Sequence, residues 1–266
     1  MTRVLSGGVL ILLAVAAVWF SPAWLFLCIA ELLVVLACHE FASLARASHL
    51  PFPFVVSTLA AALVCASFAR TAFGGDARVP IDLVLMTAFV TLGALSLTSW
   101  RGGRDAVASA SASLLPTLYF GLPIGAMVAI REASGPKGLF LLMLTVMVSD
   151  SAQYYSGRAF GRHKLAEAIS PKKTVEGAYG GFVCGALVLA VVGAWWLPTV
   201  PVALRVLLGA TIVALGIAGD LFESMLKRSA GVKDSSALIP GHGGVLDRID
   251  ALLFAAPVYY VVLKYV

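Results

Sequence analysis

Carboxylate side chains collect near the end of a very apolar chain, where their chemistry needs an explanation. Only 12% of the 266 residues are charged, yet the eighteen residues 233–250, KDSSALIPGHGGVLDRID, hold five charged side chains and a histidine. A carboxylate at membrane depth is costly unless it faces a cavity, a metal or a cation. The acidic residues of interest are Asp220, Glu223, Asp247 and Asp250.

The spacing of these residues predicts that they share helix faces. If the segment DLFESMLKR continues as a helix, positions three, four and seven apart lie on one stripe, which here means Asp220, Glu223, Ser224 and Lys227. Asp247 and Asp250 are three apart and share a second face. We therefore expect the carboxylates to converge if the intervening loop folds the two helices together.

Convergent carboxylates repel one another and tend to take up protons unless a divalent cation keeps them ionised. Ligation by oxygen atoms alone is typical of Mg²⁺, which bridges protein carboxylates to substrate phosphates. Glycines let backbone amides approach phosphate oxygens. The neighbouring cations and glycines thus indicate a polyphosphate site, with the candidates Lys227, Arg228, Lys233, Arg248, Gly241, Gly243 and Gly244.

A second polar segment, residues 156–177, has the same cationic character. It reads SGRAFGRHKLAEAISPKKTVEG and places Lys172, Lys173 and Thr174 just before a helix predicted to begin near Val175. The start of a helix favours phosphate. Alternatively, these cations meet anionic lipid headgroups at the membrane border.

The composition predicts an all-α membrane bundle. Hydrophobic residues make up 60% of the chain and the mean hydropathy is +0.96. A membrane-spanning helix needs about 20 apolar residues, and backbone groups in lipid must be satisfied within the helix. About nine transmembrane helices are expected, near residues 4–20, 22–39, 53–69, 79–99, 114–130, 138–155, 178–197, 201–222 and 250–265.

Lys and Arg residues predict the orientation of these spans. With a cytoplasmic N-terminus, thirteen of the 19 basic residues fall on the cytoplasmic side, together with both long polar segments. We expect a single domain over 1–266, with the motif-bearing part near 145–266 and helices of unassigned role in about 1–135.

Three smaller features have several interpretations. Gly177, Gly181 and Gly185, four apart, favour close helix packing. His39-Glu40 begins like a zinc-protease motif, but position 43 is serine, so that interpretation is rejected. For His242, contact with phosphate, a loop-structuring hydrogen bond and metal ligation all stay open.

The segment SMLKRSAGVKDSSALIPGHGGVLDRID, residues 224–250, resembles the signature of the phosphatidate cytidylyltransferases, the CDP-diacylglycerol synthases. The similarity extends upstream through SD, GRAFGRHKLA and ISPKKTVEG, over about 149–250. One departure is Ala152-Gln153 before Tyr154, where relatives usually have Gly-Ala or Phe-Ala. The positions that match are Ser224, Lys227, Arg228, Lys233, Asp234, Pro240, His242, Gly243, Gly244, Asp247, Arg248 and Asp250.

The resemblance implies nucleotidyl transfer from CTP to phosphatidic acid, giving CDP-diacylglycerol and pyrophosphate with Mg²⁺. It implies metal contacts for Asp220, Asp247 and Asp250, and catalytic roles for these three with Lys227 and Arg228. It also implies a membrane-lipid setting, a bacterial inner membrane with the site facing the cytoplasm, no nucleic-acid partner, and a homodimer. The implied substrate-binding residues are Lys172, Lys173, Thr174, Ser224, Lys233, His242, Gly243, Gly244 and Arg248.

Asp150 and Glu223 are weaker candidates for the same polar cavity. A transporter could also place such charges in an ion path, but the sequence has no clear internal repeat or broken midplane helix. A non-catalytic lipid-binding protein would have little use for the full set of carboxylates. A lipid kinase that consumes CTP would release CDP in place of pyrophosphate.

Overall fold

The structure is a computed structural model that describes residues 2–71, 79–100, 102, 105–236 and 243–266. The apolar runs of the N-terminal half form helices. These are α1 (Thr2–Phe20), α2 (Ala23–Ala47), α3 (Phe54–Ala66), α4 (Ile81–Ser99) and α5 (Ala106–Pro116). Prolines at the start of α2, α3 and α4 fit this position, since a helix leaves its first amides unbonded.

The C-terminal half continues with a π-helical turn (Thr117–Gly121) and α6 (Leu122–Phe160). Two short strands follow, β1 (Lys164–Ala166) and β2 (Ser170–Thr174). The last helices are α7 (Val175–Trp196), α8 (Val202–Ser229) and α9 (Leu246–Tyr265). Most expected spans coincide with helices, but α8 runs seven residues beyond its predicted end at 222 and includes Lys227.

A break at Gly135 divides α6 into two helical segments. Its φ of 68° and ψ of −176° lie in a region that only glycine readily adopts, and Pro136 follows. The break separates the spans predicted at 114–130 and 138–155. Without it, the 55 helical residues Ala106–Phe160 would extend about 80 Å, far more than one membrane crossing.

Within the described residues, five helical stretches are long and apolar enough to cross a membrane. They are Ala23–Ala47, Ile81–Thr98, Ala106–Phe160, Val175–Trp196 and Val202–Ser229. The apolar parts of α1 and α3 are shorter, and α9 carries Asp247, Arg248, Asp250 and Lys264. The apolar helices fit a membrane protein, and the count of nine spans stays a prediction.

The described chain is nearly all-α, and the exception to the all-α prediction is the hairpin formed by β1 and β2. The strands pair antiparallel, with Lys164 opposite Thr174 and Ala166 opposite Ser170. Glu176 in the first turn of α7 supports the hairpin by accepting hydrogen bonds from the backbone amides of Arg162 (3.0 Å) and His163. These contacts lie in a segment whose polarity alone suggested a loop.

The hairpin leads directly into α7, which begins at the predicted Val175. The Thr174 hydroxyl oxygen accepts a hydrogen bond from the Gly177 amide at 3.1 Å and thereby caps the helix. A Cβ on Gly177 would lie 2.8 Å from the backbone oxygen of Gln153 on α6. Cβ atoms on Gly181 and Gly185 would likewise meet Gln153 and Val213. The glycine stripe therefore packs closely against α6 and α8, as predicted.

The bundle around the polar residues consists of α6, α7, α8 and α9. Helix α6 packs against α7 and α9, and α8 packs against the same two helices. One apolar core also takes in buried residues of α1, α2, α3 and the π-helical turn. This arrangement brings the second half of α6 and the polar ends of α8 and α9 to the same region.

Candidate active site

The predicted stripe on α8 is present. Ser224 donates a hydrogen bond to Asp220 at 3.3 Å, one turn away, and Lys227 forms an ion pair with Glu223 at 2.5 Å. Both pairs have the (i, i+4) spacing that places side chains on one helix face. The structure therefore confirms this part of the expected geometry.

Lys227 joins α8 to α9. Its ammonium lies 2.5 Å from Glu223 Oε2 and 2.5 Å from Asp247 Oδ1. Lys227 is 8% exposed and Glu223 is 1% exposed. We call these three residues the lysine cluster. Because two carboxylates surround one ammonium, the cluster carries a net charge of −1 when all three groups are ionised.

Asp247 lies in the first turn of α9, before the predicted span 250–265. Its Oδ2 accepts hydrogen bonds from the Gly244 amide at 2.8 Å and the Ser235 hydroxyl at 2.8 Å. Burial acts to raise the pKa of Asp247, but the hydrogen bonds from Lys227, Gly244 and Ser235 outweigh it and lower the pKa to about 2. Asp247 is therefore a carboxylate at neutral pH.

A second group, the aspartate cluster, consists of Asp150, Asp220, Asp250 and Lys173. Lys173 of β2 pairs with Asp220 at 2.6 Å. Asp250 is within electrostatic range of Asp220, Asp150 and Lys173. Asp220 of α8 thus pairs directly with Lys173, while Asp150 of α6 and Asp250 of α9 lie within electrostatic range of this pair, so the weaker candidate Asp150 belongs with the main residues.

Close backbone approach explains how α8 and α9 meet here. A Cβ on Gly219 would overlap the backbone oxygen of Asp250, so a larger residue would push α9 away from α8. Asp250 itself accepts a hydrogen bond from the Ala251 amide at 2.7 Å. The glycine next to Asp220 therefore sets the separation of two predicted metal ligands.

Other predicted binding residues surround these clusters. Arg228 is exposed and donates to the Val232 carbonyl at 3.2 Å, while Lys172, Lys233 and Arg248 are also exposed. These exposed cations lie on the chain segments that carry the clusters or adjoin them. His242, Pro240 and Gly241 lie outside the described residues, so the alternatives for His242 stay open.

The two predicted phosphate-binding glycines have structural roles in the described chain. Gly243 has a φ of 77°, which disfavours other residues, and a Cβ there would lie 2.7 Å from Asp247 Oδ2. A Cβ on Gly244 would overlap Ser235 and Glu40. Both glycines therefore make room for carboxylates, whereas their contact with phosphate stays a prediction.

Sequence reasoning missed Glu40 on α2. This residue is 1% exposed and accepts hydrogen bonds from four donors. The donors are the Ser235 hydroxyl (3.0 Å), the Ser236 hydroxyl (2.7 Å), the Val245 amide (2.8 Å) and the Leu246 amide (2.9 Å). The sequence signal for this residue is a carboxylate at the end of the apolar run 22–39.

Tyr119 is a second residue that the sequence did not single out. It lies in the π-helical turn, is 6% exposed, and packs edge-on against Phe222 at 5.0 Å and Phe254 at 6.1 Å between ring centres. It is within electrostatic range of Asp250, Glu223 and Asp220. An aromatic layer therefore lies next to the polar clusters, towards the apolar core.

The donor chemistry of the aspartate cluster fits a hard divalent cation. It holds three carboxyl groups and one lysine, so its oxygen donors outnumber its cations, and oxygen donors are the ligands that Mg²⁺ prefers. In the part of the chain that the structure describes, no three His, Cys, Asp or Glu side chains are already arranged tightly enough to hold a metal. The metal assignments therefore stay proposals.

Comparison with known proteins decides the family. A family model described as "Cytidylyltransferase family" matches residues 1–266. The chain belongs to the cytidylyltransferase family. It is therefore an enzyme of the nucleotidyltransferase type, and the resemblance of residues 224–250 is confirmed.

Individual relatives support this membership. A phosphatidate cytidylyltransferase of Synechocystis is 33% identical over 288 residues, covering 97% of this chain and 94% of the relative. One from Staphylococcus epidermidis is 32% identical over 237 residues, covering 88% of each chain. One from Haemophilus influenzae is 50% identical over 130 residues, which cover 46% of this chain and 45% of the relative.

Proposed function

We propose that this cytidylyltransferase condenses CTP with phosphatidic acid to give CDP-diacylglycerol and pyrophosphate, in phospholipid biosynthesis. The observation that carries the proposal is that carboxylates of α8 and α9 pair with Lys173 and Lys227, with Asp150 of α6 within electrostatic range. Relatives that cover most of the chain bear the name of this activity. We assign CTP and phosphatidic acid to this chain because the charged site and the names of these relatives agree.

The reaction needs positioning and charge neutralisation. A phosphate oxygen of the lipid attacks the α-phosphorus of CTP, a new P–O bond forms, and the bond to the β-phosphate breaks to release pyrophosphate. The attacking phosphate is already anionic at neutral pH, so a strong general base is unnecessary. Correct placement of the two phosphates and compensation of their charge supply the rate enhancement.

We assign Asp220 and Asp250 to Mg²⁺, with Asp150 as a further ligand. Asp247 would contact the ion through water, since its oxygens already accept hydrogen bonds from Lys227, Gly244 and Ser235. The ion, when bound, would neutralise phosphate charge.

The chain's own cations are assigned to the substrate phosphates. Lys227 and Arg228 lie at the end of α8, and Lys173 lies beside Asp220. Ser224, Thr174, Gly243, Gly244 and His242 complete the proposed site. Lys172, Lys233 and Arg248 would attract the triphosphate or the lipid headgroup from the exposed surface.

The proposed setting is a bacterial inner membrane with the site facing the cytoplasm. Nine crossings result if Ala106–Phe160 counts twice and the shorter α1 and α3, together with α9, also span. Phosphatidic acid would keep its acyl chains in lipid while its headgroup reaches the interfacial site. We also propose a homodimer, for which the family resemblance is the sole support. The proposed reaction involves no nucleic acid.

The test is an assay on purified protein in detergent with labelled CTP and phosphatidic acid, with and without Mg²⁺. We expect labelled CDP-diacylglycerol and stoichiometric pyrophosphate only when both substrates and the metal are present. Release of CDP with a phosphorylated lipid would indicate a lipid kinase instead. Failure to consume CTP under any of these conditions would favour a transporter or a lipid-binding protein.

A substitution tests the residue assignment. We expect Asp220→Asn to lower kcat by at least about 100-fold, because it removes a charged ligand from the aspartate cluster. The matched control is Asp82→Asn, which changes an exposed aspartate in the first turn of α4. Turnover of Asp220→Asn within about twofold of the wild type would contradict the assignment.

A further inference from the structure

The carboxylate of Glu40 is buried and is contacted by hydrogen-bond donors from a later segment of the same chain. It is 1% exposed, and each carboxylate oxygen lies between 2.7 and 3.0 Å from two donor groups. A buried carboxylate is tolerated only when its hydrogen-bonding capacity is used in this way. Its donors come from residues about 200 positions later in the chain.

Two of these donors are the backbone amides of Val245, the residue before α9, and of Leu246, its first residue. The residue before the helix, Val245, provides no side-chain cap, so the amides of Val245 and Leu246 need an acceptor from elsewhere. Glu40 supplies that acceptor from α2, and its negative charge is favourable at a helix N-terminus. Helix α9 is therefore capped from another helix of the bundle.

The other two donors are the hydroxyl groups of Ser235 and Ser236, which lie earlier in the chain than the start of α9. Ser235 contacts Glu40 Oε2 at 3.0 Å and Asp247 Oδ2 at 2.8 Å, so it lies between the two carboxylates. Ser236 contacts Glu40 Oε1 at 2.7 Å. Because a hydroxyl group donates one proton, Ser235 cannot donate to both carboxylates at once.

The absence of a side chain at Gly244 permits this arrangement. A Cβ there would overlap both Ser235 and Glu40, while the Gly244 amide donates to Asp247 at 2.8 Å. Asp247 in turn holds Lys227. A continuous set of contacts thus connects Glu40 to an ammonium group assigned to substrate phosphate.

We propose that Glu40 is a positioning residue for the cytidylyltransfer reaction. By holding Ser235 and the start of α9, it fixes Asp247 and thereby the Lys227 ammonium where the nucleotide phosphates bind. Glu40 itself touches no substrate. This inference rests on the proposed function and gives α2 a role in the reaction.

The test is Glu40→Gln, which keeps the size of the side chain but replaces one acceptor oxygen by an NH₂ group. We expect the KM for CTP to rise at least about fivefold, because the mispositioned Lys227 binds phosphate less well. Glu31→Gln is the matched control, since it changes a carboxylate on the same helix that interacts with Cys65 instead. Its KM for CTP is expected to equal that of the wild type.

The KM separates positioning from a general loss of folded protein. Fewer folded molecules would lower the apparent kcat and leave the KM for CTP unchanged, and that result would overturn the proposal. An unchanged KM and kcat would overturn it as well. If wild-type protein makes no CDP-diacylglycerol, the proposed function fails instead, so the two failures are distinguishable.

A double-mutant cycle with Ser235→Ala provides a second measurement. If Glu40 acts through Ser235, the rise in KM in the double variant is expected to be smaller than the product of the two single effects. Independent effects that multiply fully would contradict the proposal. Should Glu40→Gln not fold, the double variant Ser235→Ala/Ser236→Ala removes both hydroxyl donors, and a wild-type KM for CTP in that protein would count against the inference.

Discussion

Lys227 shows how the chain tolerates charge next to its apolar core. Its ammonium is 2.5 Å from one oxygen of Glu223 and 2.5 Å from one oxygen of Asp247. Removing one partner of a buried ion pair leaves an uncompensated charge, which costs far more than the pair contributes. The stability of this region therefore depends on the lysine more than on either acid alone.

We expect Lys227→Met to lower the free energy of unfolding by about 3 kcal/mol, because the nearly buried Glu223 and the partly buried Asp247 lose their cation. The measurement is thermal unfolding in detergent. Lys137→Met, at an exposed lysine, is the control. Adding Glu223→Gln to Lys227→Met is expected to restore part of the stability, and an unchanged melting temperature for Lys227→Met would contradict this account.

At the residue scale, short-range geometry was predictable. The stripe of Asp220, Ser224 and Lys227 follows from helix periodicity. The contact of Glu40 with Leu246 was not predictable, because 206 positions separate them and nothing local to either residue specifies the other. Asp150 was only a weak candidate for the same reason, since it reaches Asp220 and Asp250 through helix packing.

The close contact of α6 and α7 makes a prediction at the scale of elements. Gly177→Ala would place a Cβ 2.8 Å from the Gln153 oxygen and 3.0 Å from the Thr174 hydroxyl oxygen that caps α7. We expect a loss of about 2 kcal/mol in unfolding free energy, since overpacking forces the helices apart. The measurement is thermal unfolding in detergent.

Gly93→Ala is the matched control for this change. Gly93 also lies within a helix, α4, but no heavy atom lies within 4 Å of its would-be Cβ. Alanine is the better helix former, so this variant is expected to be unchanged or slightly more stable. Equal destabilisation of both variants would contradict the contact explanation, because a Cβ at Gly93 meets no neighbouring atom.

The helices were predictable from apolar runs, whereas the hairpin was not. Strand β1 has three residues and β2 has five, too few for an alternating pattern to stand out. The hairpin is held by Glu176, which accepts hydrogen bonds from the amides of Arg162 and His163. Polar composition correctly marked this segment as distinct from a membrane span, but gave no sign of strand pairing.

The orientation of the whole molecule can be tested by cysteine labelling. The segment 136–160 is about 37 Å long as a helix, enough to separate its ends across a membrane. In protein whose four native cysteines are replaced by alanine, we expect Lys137→Cys to react with an impermeant maleimide in intact spheroplasts. Glu167→Cys, in the exposed hairpin, is expected to react only after lysis.

Labelling of both positions from the same side would contradict the crossing of this segment and the cytoplasmic location of the site. At this scale the helical class was predictable from composition, while the orientation expected from the basic residues stays a prediction. The number of crossings is harder to predict, because α1 and α3 are short in their apolar parts and α9 begins with the charges of the site.

The hydrogen bonds of Glu40 have a consequence for dissecting this protein. A fragment that starts near residue 145 would retain every motif of the signature, yet α9 would begin with two amides that have no acceptor. Co-expressing the missing N-terminal piece could restore that acceptor without a covalent link. The shortest fragment that keeps the signature loop in place must therefore include α2, because Glu40 contacts the start of α9.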